Sequence, residues 1–153
     1  MIVTALIILT SAALFVYWFR YTVILILRTR MEPEYAQKVA AANHLSFVDV
    51  RQQLHARTPT EELPSLFRAL EQDYRALKYL LGHAAASETG SYTAEQRLLM
   101  ANYRLLRLWF AVTVKIRPQA AKLPLLEMSG TLEYFANVMG RRFATVAGQA
   151  ARS

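Results

Sequence analysis

Residues 2–27 read IVTALIILTSAALFVYWFRYTVILIL, and Arg20 is the single charged residue among them. Ile2–Phe19 holds no charge, proline or glycine. At about 1.5 Å of rise per residue it covers roughly 27 Å as a helix, close to the ~30 Å hydrocarbon core of a bilayer. Leu, Ile, Val and Phe fall on every side of such a helix, so it offers no polar face and does not read as the core helix of a soluble domain. A cleaved signal peptide fits less well. No Lys or Arg precedes the run, the run exceeds the usual apolar region of about 7–15 residues, and Ser11-Ala12-Ala13 leads into further apolar residues. The expectation is an uncleaved transmembrane anchor over residues 1–30 and one helical domain over residues 31–153.

The flanks set an expected orientation. Arg20, Arg28, Arg30 and Lys38 follow the span, whereas only the amino group of Met1 precedes it. The positive-inside rule then predicts a single pass, with the N-terminus outside and the C-terminal domain cytoplasmic. Tyr17, Trp18 and Tyr21 cluster where an interfacial aromatic belt forms; with Arg20, Arg28 and Arg30 they are the candidate lipid-interface residues. The favoured reading has Arg20 snorkelling to the cytoplasmic headgroups, with Thr22–Leu27 along or just above the interface. The competing one sinks Arg20 against a partner's carboxylate, which makes it a candidate partner contact too.

Charge and cysteine content narrow the function classes. The net charge of +7 is spread over 153 residues without a long run of like charges, which favours anionic lipid or an acidic partner over nucleic acid. Without cysteine the chain has no disulfide, thiolate metal site, iron–sulfur cluster or covalent c-type haem.

Beyond Arg30 the punctuation is helical. Pro33 suits a first helical position, and Glu34–Asn43 is Ala-rich. Ser46-Phe47-Val48-Asp49 resembles a weak capping signature opening a helix over Phe47–Arg57, with a bend near His44–Ser46. Thr58-Pro59-Thr60 breaks that helix. A third starts around Glu61–Ser65 and runs to Leu81, with Gly82 as its expected C-cap and His83–Tyr92 as a loop. Thr93-Ala94-Glu95-Gln96 matches the capping box, and that helix continues to about Arg117. A last helix is expected from near Pro124 to Ala147.

Apolar spacing predicts which faces are buried. Leu66, Leu70, Tyr74, Leu77 and Leu81 recur at three- and four-residue steps. So do Leu99, Tyr103, Leu106 and Phe110, and again Met128, Leu132, Phe135, Met139, Phe143 and Val146. Three such stripes predict an all-α fold, a small antiparallel helical bundle behind the anchor. The Thr93 helix is wider than one stripe requires: Leu98, Leu105, Trp109 and Val112 lie beside the first row. It therefore either sits centrally or offers a second face to another protein. Arg68, Leu70, Tyr74, Arg75, Leu77 and Lys78 recur at a constant offset as Arg97, Leu99, Tyr103, Arg104, Leu106 and Arg107. One repetition is below what marks a repeat architecture, and resemblance between amphipathic helices accounts for it.

Catalytic chemistry is hard to assemble. His44, His55 and His83 lack a partner at the spacing of helical metal sites. Glu61-Glu62 reads as helix-start charge, and no nucleophile elbow, phosphate-binding glycine loop or dinucleotide fingerprint occurs. No catalytic, metal or cofactor residue is assigned. Gly130 and Gly140 thin the last helix, either as a contact surface or as tolerated glycines. With Arg20, Trp109 and Phe110 they form the candidate partner-binding set. The expectation is a non-catalytic, single-span accessory subunit contacting lipids and other subunits of a membrane complex, energy-transducing assemblies among the hosts considered. The alternative is a tethered regulator whose basic domain binds anionic lipid or an acidic soluble partner.

Overall fold

Helix α1 runs without a break from Ile2 to Thr29 in a computed structural model that describes residues 1–29, 33–56, 58–88 and 92–150. Among these residues the fold is all-α, with no strand. After α1 come α2 (Pro33–Ala42), α3 (Phe47–His55), α4 (Leu63–Glu88), α5 (Ala94–Ile116) and α6 (Lys122–Ala150), with 3₁₀ turns at Thr60–Glu62 and Pro118–Ala121. The chain divides into two compact units, Met1–Arg30 and Met31–Ser153.

In the first unit, Ile2–Arg28 is long and apolar enough to cross a membrane, and residues 1–18 are exposed on every side. Two polar side chains of this helix bond back to its own backbone. Thr10 Oγ1 donates to the Leu6 carbonyl and Thr22 Oγ1 to that of Trp18, both at 2.9 Å, so neither hydroxyl needs water. The helix does not turn at Arg20, and Thr22–Leu27 continue the same rod.

The second unit is built around α6, against which α2, α3, α4 and α5 all pack. A helix covered by four neighbours must be apolar and thin. Leu125, Met128, Leu132, Phe135, Ala136 and Met139 are buried, as are Gly130 and Gly140. Two of the polar residues enclosed with them are satisfied locally, Ser129 donating to the Leu126 carbonyl at 2.8 Å and Thr131 to that of Glu127 at 3.1 Å, whereas the amide of buried Asn137 has no hydrogen-bond partner among the described residues. At Gly140 a Cβ would lie 2.7 Å from Tyr35 Cβ, so the missing side chain is where α2 seats on α6.

Helices α4 and α5 are antiparallel and meet through aromatic spacers. Phe67 near the start of α4 stacks on Phe110 near the end of α5 at 4.6 Å, and Tyr74 stacks on Tyr103 at 4.0 Å. The Tyr103 hydroxyl donates to the Leu70 carbonyl at 3.0 Å, and Arg107 Nε reaches Glu71 Oε1 at 3.2 Å. The two tyrosines are the equivalent positions of the repeated Leu/Tyr/Arg pattern, so the similar faces of α4 and α5 are the faces that meet.

The stripes on α4 and α5 are buried as expected, and the Thr93–Gln96 capping box is present. Thr93 Oγ1 accepts from the Gln96 amide at 3.3 Å, and Gln96 Oε1 accepts from the Thr93 amide at 3.0 Å. Four expectations are corrected. Helix α4 passes through Gly82 to Glu88; Gly82 instead makes room for Tyr92, whose hydroxyl would lie 3.1 Å from a Cβ there. Residues 83–88 are therefore helix, and 89–91 lie outside the described residues. Helix α6 passes through Gly148 to Ala150, since one interior glycine costs only about 1 kcal/mol. Its stripe ends at Met139, because Phe143 is 57% exposed; the Val146 side chain lies outside the described residues. Ser46 makes no side-chain cap. Its amide donates to Asp73 Oδ2 of α4 at 2.8 Å, so a tertiary carboxylate caps α3 after the left-handed turn at His44 (φ 52°).

Candidate interaction surface

On α1 the interface candidates fall together. Tyr17, Trp18 and Tyr21 are exposed and meet edge to face, at 6.2 Å for Tyr17–Trp18 and 6.0 Å for Trp18–Tyr21. Four residues of helix rise by about 6 Å, so these rings form one girdle at a single level of the rod. Arg20 is half-buried on that level, Arg28 is exposed in the last turn, and Arg30 lies outside the described residues.

Two buried carboxylates of α4 are engaged in structure. Glu71 pairs with Arg107 and Asp73 caps α3. Burial raises the Asp73 carboxyl above its usual value, against the lowering effect of the Ser46 and Phe47 amides. Burial likewise pushes the Tyr74 and Tyr103 hydroxyls up, with Glu71 adding to both. His44, His55 and His83 are exposed on separate elements, and His83 Nδ1 lies 3.0 Å from the Tyr79 carbonyl. Among the described residues no three His, Asp or Glu side chains gather as a metal site. A shallow cavity of about 460 Å³ lies along Arg75, Lys78, Tyr79, Gly82, His83 and Tyr92, with no carboxylate in its lining.

The surface that stands out is on α5. One face carries Leu99, Tyr103, Leu106 and Phe110 into the core. Another carries Leu98, Ala101, Leu105, Leu108 and Val112, at alternating steps of three and four residues, with Trp109 and Ile116 alongside. Leu105 is 53% exposed, Leu108 66%, Val112 55% and Ile116 73%. At 3.6 residues per turn, exposed Arg97 and Arg104 and, a little further along, Lys115 fall on one shoulder of this stripe. The other shoulder carries Glu95, which accepts from the Tyr134 hydroxyl at 2.8 Å, and buried Asn102, and leads into the core.

Sequence reading located this row through Leu98, Leu105, Trp109 and Val112 but missed Leu108 and Ile116, which continue the same spacing. Three partner-binding candidates are corrected. Phe110 is only 4% exposed and stacked on Phe67, while Gly130 and Gly140 are buried in α6. The close approach expected at Gly140 is made by Tyr35 of the same chain. Trp109, 37% exposed, remains at the surface. Comparison with protein-family models, with curated proteins and with solved structures returns no match.

Proposed function

We propose that this protein is a non-catalytic, single-span accessory subunit of a larger membrane complex, held by α1 in the bilayer and by the outer face of α5 against a neighbour. The single observation that carries the reading is the exposed Leu105–Leu108–Val112–Ile116 stripe. Helix α5 already buries one full apolar face, so this second stripe contributes little to the fold of the isolated bundle. Full burial of a Leu, Ile or Val side chain is worth about 1.5–3 kcal/mol, and each of these four is at least half exposed. Covering them leaves a gross gain of roughly 4–7 kcal/mol to an interface. Contiguous apolar surface of this kind marks interaction sites. In this reading the N-terminus faces outward, the bundle is cytoplasmic, and the Tyr17–Trp18–Tyr21 girdle sits at the headgroups.

The reading is tested by extraction in mild detergent followed by native electrophoresis. A discrete high-mass band that survives salt, and that loses this chain on Leu105→Ala/Val112→Ala or Trp109→Ala, is the expected result. Migration as a bare monomer at every salt concentration would refute it. The tethered-regulator reading draws on the exposed cations of α5, and it predicts instead a freely diffusing protein with salt-sensitive lipid binding.

A further inference from the structure

Resting on the subunit reading, we infer that the outer face of α5 receives an acidic amphipathic helix of a partner, laid along it as in a two-stranded coiled coil. Leu98, Ala101, Leu105, Leu108 and Val112 occupy successive a and d positions of a heptad pattern. This spacing makes a narrow seam that a second helix can follow for about 21 Å, two heptads of contact. Arg97 and Arg104 stand at the g positions beside it, both exposed, and Lys115 takes the d position that closes its end. Positions g and e select coiled-coil partners by charge, so this edge calls for Glu or Asp on the incoming helix.

A second copy of the chain does not supply them. In a parallel pair Arg97 and Arg104 would face Asn102 and Trp109, and in an antiparallel pair they would face each other. The sole carboxylate on α5, Glu95, lies at its start on the opposite shoulder, bonded to Tyr134. An anionic bilayer would match the cations. A helix lying among headgroups, however, is framed by cations on both edges of its apolar face, and here the second edge holds Glu95 and buried Asn102. Charge and spacing together favour the protein helix.

The test uses the full chain in nanodiscs of neutral phosphatidylcholine. The probe is a fluorescent helical peptide of about three heptads with Leu at a and d and Glu at e and g. Saturable binding is expected, weakened about tenfold or more by Arg97→Glu/Arg104→Glu and by raising salt from low to near-molar. The same peptide with Lys at e and g should not bind. Both substitutions lie at exposed positions, and circular dichroism checks that helicity is retained. Because the chain has no cysteine, Leu105→Cys carries one cross-linker at the seam. Capture of the acidic peptide supports the proposal, while efficient cross-linking of two copies overturns it. Absence of peptide binding, equal binding of the Lys peptide, or binding confined to phosphatidylserine vesicles also overturns it. The native complex reports separately. A high-mass band that persists in Arg97→Glu/Arg104→Glu but is lost in Leu105→Ala/Val112→Ala removes the acidic helix and leaves the subunit reading standing.

Discussion

Two glycines of one helix should respond oppositely to the same change. Gly130 and Gly140 are both buried in α6, and on helix propensity alone either Gly→Ala substitution gains about 1 kcal/mol. At Gly130 a Cβ would meet nothing within 4 Å. The propensity gain should therefore be kept, with up to about 0.8 kcal/mol more for a buried methyl group. At Gly140 the new Cβ would sit 2.7 Å from Tyr35 Cβ, with the ring atoms Cγ and Cδ1 at 3.3 and 3.2 Å. Carbon atoms in contact prefer about 3.5–4.0 Å, so α2 must lift from α6 by close to 1 Å. A Cβ is fixed to its backbone, so no rotamer change relieves the overlap. Overpacking of this kind costs about 1–3 kcal/mol. After the propensity gain, Gly140→Ala should lose about 1 kcal/mol while Gly130→Ala gains about 1–1.5. For a domain of this size the difference of roughly 2 kcal/mol separates the two melting temperatures by several degrees. Thermal unfolding of the full chain in detergent, followed by near-ultraviolet circular dichroism, measures it. Equal stabilisation of both variants would mean that Tyr35 does not seat against Gly140, and the placement of α2 would fail with it.

Three further outcomes are expected. Asp73→Ala should cost about 1–2 kcal/mol through loss of the α3 cap, whereas Asp73→Asn keeps an acceptor. Because burial raises the folded-state pKa of Asp73, its contribution is greatest in acid and declines as pH rises from about 4 toward neutrality, a slope that Asp73→Asn should abolish in pH-dependent melting. Tyr103→Phe loses the hydrogen bond to the Leu70 carbonyl and should cost about 0.5–1.5 kcal/mol at neutral pH. The buried hydroxyl keeps its proton well above pH 10 while the unfolded chain ionises, so the native protein should lose about 1.4 kcal/mol per pH unit from this tyrosine above pH 10. Alkaline unfolding curves of the two proteins should converge there. Leu106→Asp places an unpaired charge at a buried position and should cost several kcal/mol, enough to unfold the bundle; unchanged melting would show that the α5 stripe is not core.

Local signals proved legible where they rested on periodicity. The four core positions of α5 and the five of α4 could be read from three- and four-residue steps, because a face buried against one neighbour leaves that imprint. The Thr93–Gln96 cap was legible because both of its partners lie within one turn. What failed depended on residues distant in sequence. Gly82 looks like a stop signal until Tyr92 is seen to lie beside it, and Ser46 looks like a cap until Asp73 arrives from α4. Gly140 and Phe110 looked available to a partner, yet Tyr35 and Phe67 of the same chain take those places. The spacing of Leu108 and Ile116 was visible, but which side of α5 faces the core was set by the aromatic stacks with α4.

The open face of α5 follows from the arrangement around α6. Four helices surround that axis, so α6 has little free perimeter, and among the described residues α5 packs against α6, the Pro118–Ala121 turn and the stacked rings of α4. An outer arc of α5 is therefore bound to face away from the core. In a self-sufficient bundle that arc would carry polar residues at almost every turn. Here it repeats Leu, Ala, Leu, Leu and Val at seam spacing, and exposed Arg97 and Arg104 stand where partner-selecting charges belong. Charge at the edge and apolar residues at the centre is the distribution of an interface, with the centre supplying burial and the edge discriminating between partners. The same arc on α4 supplies the contrast. Arg68, Arg75 and Lys78 lie exposed there, and among the described residues of α4 Tyr79 is the one large exposed apolar side chain, as expected of a helix face that stays in water.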